Sequence, residues 1–168
     1  MTAVELFRAQ LEREAAPTRR VLERVPEGRA DWKPHDKSMP LGYLSSLVAT
    51  MPGWVTMMIR QDSLDLRPAS GSAYVPPDTS TNAALLKAFE DALSGARAAL
   101  AATGDPHLAT PWRLLVAGKV VSEDARHNMI ADTFTHLAHH RGQLSVYLRL
   151  LGVAVPSIYG PTADDRVF

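Results

Sequence analysis

Hydrophobic positions recur at helical spacing over four long stretches of this chain. In the first, from about Thr2 to Val25, Val4, Phe7, Leu11, Leu22 and Val25 are separated by Glu and Arg, the pattern of an amphipathic helix. Pro17 is expected to bend or interrupt it, and Pro26-Glu27-Gly28 to end it. Arg29 to Met39 reads as a loop. Ser38 is the expected N-cap, and Pro40 the first helical residue, of a second helix reaching about Gln61. That helix is apolar nearly all round, which places it centrally, and Pro52-Gly53 should kink it.

Leu64 to Asp78 reads as a long connection with a short extended piece at Ser72 to Val75. Thr79 or Ser80 caps a third, alanine-rich helix that ends at Gly104-Asp105-Pro106. Pro111 to Val121 alternates around Ala117-Gly118-Lys119 as a small hairpin. Ser122, with Glu123 and Asp124 in the first turn, opens a last helix that runs to about Leu151 and stops at Gly152. A tail follows, with Tyr159 and Phe168 as aromatic anchors. Four principal helices near 2–25, 40–61, 79–103 and 122–151, with one long crossover connection, predict an all-α four-helix bundle forming a single domain over 1–168.

Acidic and basic residues balance at 18 each, so the chain has no basic footprint for nucleic acid. Cysteine is absent, which removes disulfides, thiolate ligands and a cysteine nucleophile and suits a reducing cytoplasm. The N-terminus acquires charge at once, without the apolar core of a signal segment. No apolar run approaches the ~20 residues that a membrane span needs. The expected location is therefore cytoplasmic, with neither a membrane nor a nucleic acid as partner.

The candidate chemistry lies in the last helix. His136 and His140 are four residues apart, which puts two imidazoles on one face, one turn apart, able to grip one metal ion. Met129, Thr133, Gln143, Tyr147 and Leu151 share that face. Two ligands fall short of the three that a catalytic site usually has, and from spacing alone hydrogen-bonded core histidines explain the pair better. His139 points away by about a quarter turn. His127 is nearly opposite, and His107 and His35 lie in loops. Gly142 in mid-helix is either a point of close helix approach, as across a dimer interface, or a tolerated weak spot. Trp54 and Trp112 read as core.

The run His136-Leu137-Ala138-His139-His140-Arg141-Gly142-Gln143-Leu144 resembles the DinB-like (DinB/YfiT) superfamily of bacterial, metal-dependent four-helix-bundle proteins. Asp31-Trp32-Lys33-Pro34, Leu41-Gly42-Tyr43-Leu44, Pro52-Gly53-Trp54 and Val155-Pro156-Ser157-Ile158-Tyr159-Gly160-Pro161 support the resemblance. It implies an up-up-down-down bundle, often a homodimer, holding nickel or zinc through three histidines. His136 and His140 match the pair on the last helix. The third histidine, in a Leu-Gly-x-Leu-x-x-His frame on the second helix, falls on Leu47. Leucine has no lone pair to donate, so metal binding is expected to be weak or absent, with His35 the one spare imidazole. Two functional readings follow. One is a small-molecule-binding protein with a degenerate divalent-metal site. The other is an active metal-dependent enzyme using His136 and His140, either a thiol-dependent S-transferase or isomerase acting with a low-molecular-weight thiol, or a hydrolase. DNA repair is suggested only by the superfamily's name, and the charge balance opposes it.

Overall fold

A computed structural model describes residues 1–69 and 77–166. The extended piece expected at Ser72 to Val75 and the Phe168 anchor lie outside the described residues. The elements are helix α1 (Ala3–Leu22), α2 (Leu41–Thr50), α3 (Pro52–Arg60), strand β1 (Ser63–Asp65), α4 (Asn82–Ala101), α5 (Asp105–Leu108), β2 (Pro111–Val116), β3 (Lys119–Ala125) and α6 (Arg126–Leu150). The molecule is mainly helical, but the small sheet, in the order β1-β2-β3, means that it is not strictly all-α. β1 runs parallel to β2, and β2 antiparallel to β3.

Pro17 sits inside α1 without ending it. The second helix breaks at Met51, one residue before Pro52, as the Pro-Gly pair predicts. Cap assignments shift. Pro40 is itself the N-cap of α2, where Ser38 was expected. Thr81, rather than Thr79 or Ser80, caps α4 through its side chain. The start of the last helix moves furthest. Ser122 to Asp124 do not open α6. They continue β3, because each pairs with β2, Ser122 with Leu114, Glu123 with Arg113 and Asp124 with Trp112. The ladder begins with Lys119 opposite Val116 and Val120 opposite Leu115, and the helix waits until Arg126.

Arg126 does the joining work that a cap residue would have done. Only 2% exposed, it donates from Nε to the Met58 carbonyl (2.8 Å), from Nη1 to the Pro111 carbonyl (2.8 Å) and from Nη2 to the Gln61 carbonyl (3.2 Å). It also bonds Thr110 and Asp62. One buried guanidinium thus satisfies carbonyls at the open end of α3 and pins the sheet to the start of α6.

α1 and the α2–α3 pair each pack against both α4 and α6. Leu11, Val21, Leu44, Val48, Leu93, Leu100, Ile130, Leu137 and Leu144 fill the space between them. The running directions follow from which residues meet. Phe7 stacks with Phe134 and Thr18 bonds Arg141, so α1 and α6 are parallel. Glu12 pairs with Arg97, and Asn82 reaches the Leu22 carbonyl, so α1 and α4 are antiparallel. Gly53 faces Ala92 and Thr56 faces Gly95, so α3 and α4 are parallel. Met58 meets Thr133 and Trp54 meets His136, so α3 and α6 are antiparallel. The order is up, down, down, up. The expected up-up-down-down arrangement is therefore corrected. That arrangement needs two long crossovers, and here one segment, between α3 and α4, joins parallel neighbours.

Gly42 shows how tightly the loop before α2 is strapped down. Its N–H donates to the Ala30 carbonyl (2.9 Å), and Leu41 N–H donates to the Trp32 carbonyl (2.8 Å). A Cβ on residue 42 would lie 3.0 Å from Ala30 Cβ and 3.3 Å from its Cα and carbonyl oxygen. Gly42→Ala should therefore destabilise the fold by roughly 1–3 kcal/mol, because backbone rather than a flexible side chain must yield. Urea denaturation checks this, and an unchanged midpoint would show that the loop gives way freely.

Candidate metal centre

α6 brings His136 and His140 together as its geometry requires. Their ring centroids are 4.5 Å apart and their Nε2 atoms 2.8 Å apart, the separation of a hydrogen bond. His140 is buried at the seam with α2 and α3, whereas His136 is exposed at the edge of that seam. His140 Nδ1 meets Gln143 Oε1 at 2.7 Å. An amide oxygen accepts only, so His140 carries its proton on Nδ1 and presents a lone pair at Nε2, and His136 donates from its own Nε2. The same Nδ1–H contact is the kind that orients a metal-ligating histidine.

The surroundings are aromatic. Trp54 stands edge-on to His136, with centroids 5.5 Å apart, and His139 stands edge-on to His140 at 5.0 Å. One turn on, Tyr147 packs edge-on against Trp32 at 5.6 Å and donates its hydroxyl to the Met39 carbonyl (3.2 Å). Tyr147 is therefore not the partner of a histidine, although it lies on their stripe. Trp54 is the site residue that sequence reasoning assigned to the core. The antiparallel pairing of α3 with α6 was the missing signal, because it sets Pro52-Gly53-Trp54 opposite His136. Trp112, at 1% exposure, does belong to the core.

Although His136 as a residue is exposed, partial desolvation of its ring at the edge of the seam pushes the imidazole below the ordinary histidine value, and the neighbouring His140 and His139 push it further in the same direction. The native state thus prefers neutral His136. As pH falls below the unfolded value of about 6.5, the unfolded chain takes up a proton that the folded chain refuses, and this site's contribution to stability declines until the folded value is passed. A proton-detected titration should find His136 protonating below the ordinary histidine value of about 6.5. Protonation above that value would contradict the crowding of these imidazoles.

Two nitrogens each ~2.0–2.1 Å from one ion, at angles of about 90–110°, are about 2.8–3.4 Å apart. The observed 2.8 Å lies at the short end of that range, so the pair fits a metal as a two-pronged clamp. Among the described residues, no group of three or more His, Cys, Asp and Glu side chains is placed to hold an ion. His35 turns Nδ1 to the N–H of Lys37 (3.1 Å) in its own loop. His127 Nδ1 faces the Leu108 carbonyl and His107 Nε2 faces the Ile59 carbonyl. Leu47 is half-buried against the core, between the Met39–Tyr147 and Trp54–His136 contacts in chain order. The donors present do not fit a resident ion held by three protein ligands.

Beside the pair, on the face toward α1, Arg141 is fully buried and pairs with buried Glu14 at 2.7 Å. It also donates to Thr18 Oγ1 (2.8 Å) and bonds the Tyr159 hydroxyl. In the sequence Arg141 stands out only as a member of the run from His136 to Leu144. Gly142 itself is exposed, and a Cβ there would meet nothing within 4 Å. Among the described residues, nothing makes the close approach considered for it.

Residues 125–166, which span α6 and most of the tail, match the DinB family. No curated protein matches the sequence. A DinB-like protein from Bacillus cereus shares the fold with a TM-score of 0.68 at 17% identity, over 92% of this chain and 97% of its own. A DinB-like protein from Bacillus subtilis does so with a TM-score of 0.64 at 14% identity, over 96% of this chain and 99% of its own. None of the described helices is long and apolar enough to cross a membrane. The chain is thus similar to the DinB family across its last helix and tail, and it shares its fold with DinB-like proteins over nearly its whole length.

Proposed function

We propose that this protein is a small-molecule-binding DinB-like protein whose divalent-metal site is degenerate, with His136 and His140 retained and the second-helix ligand replaced by Leu47. The observation that carries this reading is the converged histidine pair with, among the described residues, no third His, Cys, Asp or Glu placed to hold an ion with it. Nickel or zinc then binds weakly, with water or a small ligand completing the shell. Protein purified without a nickel column and dialysed against a chelator should hold far less than one ion per chain. Stoichiometric nickel or zinc surviving that dialysis would overturn the reading.

A second reading, an active metal-dependent enzyme of the thiol S-transferase, isomerase or hydrolase type, is favoured by one detail. His140 is buttressed through Nδ1 by Gln143, as a working ligand would be. It requires a metal that stays bound, so the same measurement separates the two. In either case we place the protein in the cytoplasm, as a homodimer packed along the exposed face of α6. There Val146 and Leu150 are 56% and 59% exposed, and the open space at Gly142 admits a second helix. Light scattering giving the monomer mass at all concentrations would refute the dimer.

A further inference from the structure

A second concave site lies on the opposite face of α6 from the histidines. Ala131, Phe134, Thr135 and Ala138 face it from α6, roughly half a turn of the helical wheel from His136 and His140. α1 supplies the other wall. The groove encloses about 380 Å³, within the range of small-molecule pockets. The stacked rings of Phe7 and Phe134, with centroids 6.1 Å apart, line it, and Leu6, 46% exposed, stands at its rim.

One end is polar, and its polarity is specific. The Glu14 side chain lines the groove and is only 4% exposed. Its Oε1 accepts from the Gln10 amide (2.8 Å), and its Oε2 accepts from Arg141 (2.7 Å) and the Tyr159 hydroxyl (2.9 Å). A carboxylate offers about four acceptor positions. Three are filled among the described residues, so one remains on Oε1, the oxygen beside Gln10. Its charge is already balanced by Arg141, so no second cation is called for. An anion would meet the carboxylate itself. Tyr159, 68% exposed as a residue but with its hydroxyl bonded to Glu14, forms one side of the opening.

We propose that this groove binds a small neutral amphipathic molecule, its apolar body against Phe7, Phe134 and Leu6 and a hydroxyl or amide N–H donating to Glu14 Oε1. The site is independent of the histidine pair, so it stands or falls separately from the proposed metal chemistry.

2-Phenylethanol is a suitable probe, with phenylacetate as its anionic counterpart, both followed by saturation-transfer NMR on the whole protein. 2-Phenylethanol should bind, with a signal at least about fivefold above that of phenylacetate, because the anion cannot donate and is repelled. Ala131→Phe, at an exposed α6 position on the wall, should fill the groove and abolish the 2-phenylethanol signal while leaving the melting temperature nearly unchanged. Should that variant melt early, Leu6→Ala at the exposed rim replaces it and should weaken the signal. Absence of binding to the wild type, equal binding of phenylacetate, or full binding in the blocked variant would each overturn the proposal.

Discussion

Arg141→Leu should destabilise the fold by roughly 3–5 kcal/mol, the cost of leaving one member of a buried ion pair without its partner. For a domain of this size that is a fall in melting temperature of roughly 6–20 °C. The variant strips Glu14 of its only charged partner among the described residues, removes the donor that Thr18 Oγ1 accepts from and takes away the cation that lies 5.0 Å from the Tyr159 ring centroid. It therefore loosens α1, α6 and the tail at once. The double variant Glu14→Leu, Arg141→Leu should recover at least half of the loss, because replacing a buried pair with apolar side chains is often close to neutral. Urea denaturation of both variants measures this. A single variant within about 1 kcal/mol of the wild type would mean that the pair is not holding these elements together.

That ion pair was legible in principle. Leu137, Arg141, Leu144 and Leu148 form one helical stripe of α6, and Phe7, Leu11, Glu14, Thr18 and Val21 form one of α1, each apolar apart from its polar members. Opposite charges sitting in two core stripes point to each other, but only once the helices are known to be parallel and adjacent. The sequence pattern does not carry direction. It does carry the number of crossovers, and a single crossover excludes up-up-down-down.

The four long helices were readable because their apolar period is long and regular. The start of α6 was misread because Ser122-Glu123-Asp124 satisfies a capping pattern while its backbone is taken by the β2 ladder, and single-stretch reasoning cannot see a competing strand. The histidine pair was the most readable part of the site, since i, i+4 spacing on a helix fixes convergence whatever surrounds it. Gln143 followed from the same stripe. Trp54 did not, since its place beside His136 depends on the antiparallel register between α3 and α6.

Leu47→His should tighten zinc binding by roughly a hundredfold or more, the largest functional change expected of any single substitution in this chain. The site already holds two nitrogens at 2.8 Å with His140 oriented by Gln143, so a third imidazole completes the usual set of three protein ligands and leaves one position open. Leu47 is half-buried rather than sealed in the core, so the polar ring has an outlet and the fold should tolerate it. Competition against a chromophoric chelator gives the affinity. Leu47→Ala separates the donor effect from simple loss of bulk and should leave zinc binding as weak as in the wild type. Adding His140→Ala to the Leu47→His variant should erase the gain, because the new imidazole would then have only His136 to share an ion with. If Leu47→His binds no better than Leu47→Ala, residue 47 does not face the pair, and the frame that assigns it the lost ligand is wrong.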